Sequence, residues 1–215
     1  MPRVRTLVQL TEAALPAPLF HRLLRRVSAV GQERLRTTYQ TTFWYDFGPP
    51  TNVVEQVVHT LRPTLAARRR IAGVEWWLSR MSPNDVRVDF HQDLDERLAR
   101  AGGPRVHPRI SSVLFLNRVR GGALAVTREL PCDDNPSLAP SRLDNLTLVA
   151  PRPNRLVVFD GTLTHGVLDA NNDIPDGRLP GTARERRTLV MNWWTARPTD
   201  VPTWASTRHY RALAI

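Results

Sequence analysis

Beyond residue 70 the chain breaks into short runs. Apolar and β-branched stretches of four to ten residues alternate with clusters of Pro, Gly, Asn and Asp. Such runs are too short for typical helices and suit strands joined by turns. Eight can be placed, at 72–81, 86–91, 109–117, 122–128, 146–149, 155–160, 164–168 and 187–195. Eight strands in succession, with no internal repeat, predict a mainly β fold: a barrel or jelly roll with flanking helices packed outside.

The first 70 residues read differently. Leu15, Leu19, Leu23 and Val27 recur every fourth position and predict a helix over 11–30. The Thr- and aromatic-rich stretch 34–47 suits a strand. Turn residues at 48–52 precede a second helix with Val53, Val54, Val57, Val58 and Leu61 on one side, which Pro63 is placed to kink or divide. One domain over 1–215 is therefore expected: helical and strand support over 1–70, a β core over 71–197 and a tail over 198–215. The insertions 94–108, 129–145 and 169–186 are long for a compact domain and suit binding loops or lids.

Composition narrows the setting. The single cysteine, Cys132, rules out an internal disulfide and fits a reducing compartment. The first twenty residues lack the continuous apolar core of a signal peptide, and no run approaches the length of a membrane span. A soluble cytoplasmic protein is expected. The formal charge is +10, carried by 30 basic residues that are all Arg. Apart from the run ending at Arg70 they are scattered, a pattern of solvated surface and compositional bias more than of a nucleic-acid footprint.

The chemistry-bearing stretch is Phe90-His91-Gln92-Asp93. Residues i and i+2 of a strand share a face, so His91 and Asp93 point together. A third donor is His165, after the apolar run 155–160. Two imidazoles and one carboxylate on one face of a metal leave positions open, the arrangement that suits non-haem iron(II). Taken one at a time, the six His of the chain are ordinary residues; the order of motifs singles these two out.

Four motifs in order resemble those of the 2-oxoglutarate- and iron(II)-dependent dioxygenases, in their prolyl-hydroxylase-like branch. His91-Gln92-Asp93 is similar to the His-x-Asp of that family. The stretch 111–126, with Leu116-Asn117 and Gly121-Gly122, is similar to its Tyr-Leu-Asn strand and Gly-Gly-x-Leu strand. The stretch 149–167 resembles the run before the distal His, and 186–194 the final strand, where a basic residue precedes a Trp by six positions.

The resemblance implies a double-stranded β-helix (a cupin-like jelly roll) of two four-stranded sheets. It implies Fe(II) held by His91, Asp93 and His165, with 2-oxoglutarate and O2 as co-substrates. On the last strand Arg187 and Trp193 share one face and Arg186 and Trp194 the other; the family pattern selects Arg187 to anchor the distal carboxylate of 2-oxoglutarate and Trp193 as a wall. Phe115 stands where this branch often has a Tyr hydroxyl for that carboxylate, and Arg187 lies farther beyond His165 than is usual.

The expected reaction is hydroxylation of an unactivated C–H of a peptide side chain (prolyl-type) or an amino-acid-like small molecule, with release of succinate and CO2. Arg97, Arg100, Arg105 and Arg118 would make the mouth positive and favour an acidic substrate, with Trp194 a further candidate contact. Asn117 and Asn192 are candidates to orient the imidazoles. The alternatives are a nucleic-acid demethylase of the same superfamily, disfavoured because Trp193 stands where that branch has a second Arg, and a non-catalytic jelly-roll binding module.

Overall fold

The computed structural model describes residues 6–31, 41–66, 70–81, 90–130, 145–168, 185–207 and 209–215. Nine strands and three helices occur among them: β1 (Val8–Thr11), α1 (Ala17–Val30), β2 (Phe43–Tyr45), α2 (Val53–Ala66), β3 (Gly73–Met81), α3 (Glu96–Arg100), β4 (Ile110–Phe115), β5 (Leu124–Thr127), β6 (Thr147–Val149), β7 (Arg155–Asp160), β8 (Thr164–Val167) and β9 (Arg186–Trp194). Two 3-10 turns follow at Trp204–Ser206 and Arg211–Leu213.

The strands form two antiparallel sheets. The larger has six strands in the order β1-β7-β4-β9-β3-β2, and the smaller has three in the order β6-β5-β8. Two sheets of four were expected. The larger gains β1 and β2 from the N-terminal region, one at each edge. The smaller gains one residue beyond β8, because His91 bridges His165 in antiparallel register. The expected strand 86–91 and the insertions 129–145 and 169–186 fall mostly outside the described residues.

Side-chain parity on the larger sheet separates two apolar layers. Trp76 and Leu78 of β3, Ile110 and Leu114 of β4, and Leu189, Met191 and Trp193 of β9 face outward onto α1 and α2. Val113 and Phe115 of β4, Val157 and Phe159 of β7 and Val190 of β9 face inward, against Leu124, Val126 and Val149 of the smaller sheet. The helices cover one face and the second sheet the other, so the central strands are buried on both sides. Each large side chain fully withdrawn from water, such as Trp76 or Leu114, contributes about 1.5–3 kcal/mol.

The helices start and stop for local reasons. The N-terminal periodicity extends to residue 11, but α1 begins only at Ala17, with Pro16 at its cap and Pro18 in its first turn, where a missing N–H costs nothing. Residues 8–11 pair instead with β7, in register Val8 with Phe159. Gly31, at φ 81°, ends the helix. Asn52 caps α2, its Oδ1 accepting from the N–H groups of Val54 (2.9 Å) and Glu55 (3.0 Å). Glu55 reaches back to the N–H of Thr51 at 2.7 Å. Helix α2 runs through Pro63 as one piece as far as Ala66, the last described residue before position 70.

Candidate metal centre

His91, Asp93 and His165 converge. One ligand atom from each lies within 4.8 Å of the others. His91 and His165 are fixed by a pair of backbone hydrogen bonds, N to O at 2.9 Å in both directions. Their rings are 4.4 Å apart between centroids. Nε2 of His91 is 3.7 Å from Asp93 Oδ1, and Nε2 of His165 is 3.4 Å from Asp93 Oδ2.

The surroundings orient these donors. Nδ1 of His165 faces the Leu163 carbonyl at 3.1 Å, so a proton on Nδ1 leaves the Nε2 lone pair turned to the cluster. The Ser111 hydroxyl, on the inner face of β4, donates to Asp93 Oδ2 at 2.9 Å. Nδ1 of His107 meets the Asp93 main-chain carbonyl at 2.7 Å, and the Gln92 amide turns away to the Thr162 carbonyl at 2.7 Å. Phe159 packs its ring 5.0 Å from His165. The candidate orienting residues Asn117 and Asn192 do not hold the imidazoles. Asn117 ties the strand ends, accepting from the N–H of Arg187 at 2.9 Å and donating to the Glu185 carbonyl.

Burial alone would raise the Asp93 carboxyl, but His165, His91 and the Ser111 hydroxyl outweigh it and hold the group well below the usual carboxylate range. Burial pushes the His165 imidazole down, against the pull of Asp93, and His91 adds to the push. An ionised carboxylate beside a neutral imidazole is the protonation state that metal ligation requires. Two imidazole nitrogens and one carboxylate oxygen, with a partly exposed His91 at the rim, fit a divalent iron with coordination positions left open.

The last strand corrects the expectation for the anchor. Arg187 and Trp193 share a face, as their spacing requires, but it is the outer one. Trp193 is fully buried in the helix-side core with its indole N–H on Ser112 Oγ at 3.0 Å. Arg187 lies across from Arg80 on that side. Neither reaches the barrel interior. Arg186 does: its side chain is buried, Nε donates to the Gly122 carbonyl at 2.9 Å, and its guanidinium lies 5.1 Å from the centre of the Phe115 ring. Phe115 lies on the inner face of β4, as a ring beneath the guanidinium. Gly121 and Gly122 adopt φ of 66° and 65°, which turns the Gly122 carbonyl onto Arg186.

The expected positive mouth is also corrected. A cavity of about 700 Å³ opens beside the triad, lined among others by Glu75, Trp77, His91, Asp93, Asn192 and Thr199. Arg97 and Arg100 stand on its rim, but Arg97 pairs with Asp200 at 2.5 Å and Arg100 with Glu96 on the next turn. Arg105 and Arg118 are exposed and are not among the lining residues. Trp194, the further candidate contact, is buried against Trp44 and Val201, and its indole N–H donates to Glu75 Oε2 at 3.1 Å. Sequence reasoning missed Glu75. A carboxylate inside the apolar stretch Val74-Glu75-Trp76-Trp77-Leu78 was the available signal.

The sheet order and the donor triad define a double-stranded β-helix scaffold of the kind found in 2-oxoglutarate–iron(II) oxygenases. The chain is similar to the solved prolyl-4-hydroxylase of Pseudomonas putida, with 22% identity, a TM-score of 0.52 and 89% of each chain covered. It is also similar to HygX of Streptomyces hygroscopicus, solved with nickel and 2-oxoglutarate bound, with 13% identity, a TM-score of 0.54, and 98% of this chain and 91% of that one covered. No protein-family model matches the sequence, and no curated protein matches it. Among the described residues, no helix is long and apolar enough to cross a membrane.

Proposed function

We propose that the protein is an Fe(II)- and 2-oxoglutarate-dependent oxygenase that hydroxylates an unactivated C–H of a peptide side chain or an amino-acid-like small molecule. The observation that carries this reading is the convergence of His91, Asp93 and His165 beside an open cavity, with a buried arginine deeper in the same barrel. When bound, iron and 2-oxoglutarate supply the oxidising chemistry: one atom of O2 enters the substrate C–H and the other enters succinate, with loss of CO2.

The protein's own residues then have distinct tasks. His91, Asp93 and His165 hold the ion. Ser111 and the Leu163 carbonyl keep Asp93 and His165 aimed at it. Arg186 takes the distal carboxylate of 2-oxoglutarate through its planar fork, on the floor formed by Phe115 and Gly122. Val113, Phe115, Val126 and Val157 keep water from that end.

The test is anaerobic titration with Fe(II) and then 2-oxoglutarate, followed by admission of O2 and measurement of succinate. A weak visible charge-transfer band on adding 2-oxoglutarate, and slow succinate release without added substrate, are expected. Metal binding with no band and no succinate under any condition would leave a binding module in place of an enzyme.

A further inference from the structure

The cavity beside the triad carries a neighbouring carboxylate and amide, Glu75 and Asn192. Glu75 lies on the inner face of β3 and pairs across the sheet with Asn192 of β9, which in turn pairs with Ser111 of β4. Ser111 is the residue that holds Asp93. The three positions form one row across adjacent strands, so Glu75 sits two strand spacings, roughly 10 Å, from Ser111. Asn192 is 2% exposed, lines the cavity, and its Oδ1 has no hydrogen-bond partner. A buried acceptor without a donor costs about 1–3 kcal/mol unless something supplies one.

Every other carboxylate lining the cavity among the described residues has a task. Asp93 belongs to the triad. Asp95 caps α3 and accepts from the N–H and hydroxyl of Thr199 at 2.8 and 2.9 Å. Glu96 and Asp200 are paired with arginines. Glu75 receives hydrogen bonds from Thr42 and Trp194 and meets no cation among the described residues. Burial pushes its carboxyl up to about 7, which a cation placed against it would reverse. Trp77, two residues along on the same face, adds an indole surface for an alkyl stem or a cation.

We propose that Glu75 and Asn192 form the substrate-recognition site, and that the group they receive is a cationic nitrogen, an ammonium or a guanidinium. This rests on the oxygenase reading for what happens next: a substrate gripped there by its charged end would lay a carbon several bonds away over the triad. Arg186 stands six residues along β9 from Asn192, roughly 20 Å at strand rise, so the co-substrate end and the recognition end lie at different ends of that strand.

Calorimetric titration of the zinc-loaded protein with 2-oxoglutarate tests the site without turnover. The probes are two pairs matched in shape: L-arginine against L-citrulline, and L-lysine against N6-acetyl-L-lysine. At least one cation should bind about tenfold or more tighter than its neutral counterpart, with Glu75→Gln reducing that preference to about threefold or less. Asn192→Leu should weaken the cation, and Glu75→Asp should keep the preference. Equal binding within both pairs by the unmodified protein, or a preference untouched in Glu75→Gln, overturns the proposal. A clear preference with no succinate in the turnover assay keeps the site and removes the oxygenase; succinate with no preference does the reverse.

Discussion

Replacing Glu75 with Gln should stabilise the metal-free protein, and only above a definite pH. The unfolded chain releases the Glu75 proton near 4.5, whereas the folded protein keeps it to about 7. Between those values the native state binds the extra proton, so stability falls as pH rises through the window and stays lower above it. The gap, at roughly 1.4 kcal/mol per pH unit, sets a ceiling of about 3 kcal/mol, and solvent contact at the cavity wall lowers the expected effect to about 1–2 kcal/mol. Gln keeps an acceptor for the Trp194 indole and never ionises. Urea unfolding at pH 5 and pH 8.5, with metal removed by a chelator, should therefore show the variant gaining on the unmodified protein as pH rises, with the gain complete just above pH 7. A difference between the two proteins that is constant with pH, or that grows in the acid direction, would refute the picture of a desolvated carboxyl without a cation.

Arg186→Gln should weaken 2-oxoglutarate binding by a hundredfold or more, since a buried carboxylate left without its partner costs about 3–5 kcal/mol; Arg187→Gln should change it by less than about threefold, and calorimetry on zinc-loaded protein separates the two. Asp93→Asn and His165→Ala should each lower zinc affinity by at least about a hundredfold while the far-ultraviolet circular dichroism of the barrel persists, which a competition titration with a chromophoric chelator measures. Gly122→Ala should destabilise the fold by about 1 kcal/mol, because φ is +65° there and the new Cβ would sit 3.1 Å from Arg186 Cδ; the same variant should loosen 2-oxoglutarate more than it loosens zinc. Asn52→Ala should cost about 1 kcal/mol through loss of the α2 cap, read as a lower melting temperature with unchanged metal affinity.

Much of this site is legible in the amino-acid order, and the misreadings have physical causes. His91 and Asp93 are close in sequence, so strand geometry alone puts them together; His165 needs only the strand before it. The proposed anchor needs more. Arg186 and Arg187 are neighbours, and in a strand neighbours face opposite ways, so choosing between them requires the parity of the whole strand. Both faces of β9 are buried, one by helices and one by the second sheet, so apolar residues occur on both and alternation does not mark the interior. Thr188 and Asn192, polar and on the Arg186 side, carried the sign of the inner face. The strand at Val8–Thr11 was hidden for another reason: three of its four residues are exposed, and its place depends on pairing with β7, far away in the chain. The charge of the mouth was misjudged because a sequence counts Arg97 and Arg100 as cations, whereas the fold brings Asp200 and Glu96 against them.

Asp93 takes its hydrogen bond from Ser111 of the six-stranded sheet, while His91 and His165 belong to the edge of the three-stranded one. An ion gripped by all three would rivet the two leaves together at the rim. Loading the protein should then slow the parting of the leaves there, so that amide exchange around Ser111 and His165 reports occupancy even in a sample that never meets oxygen.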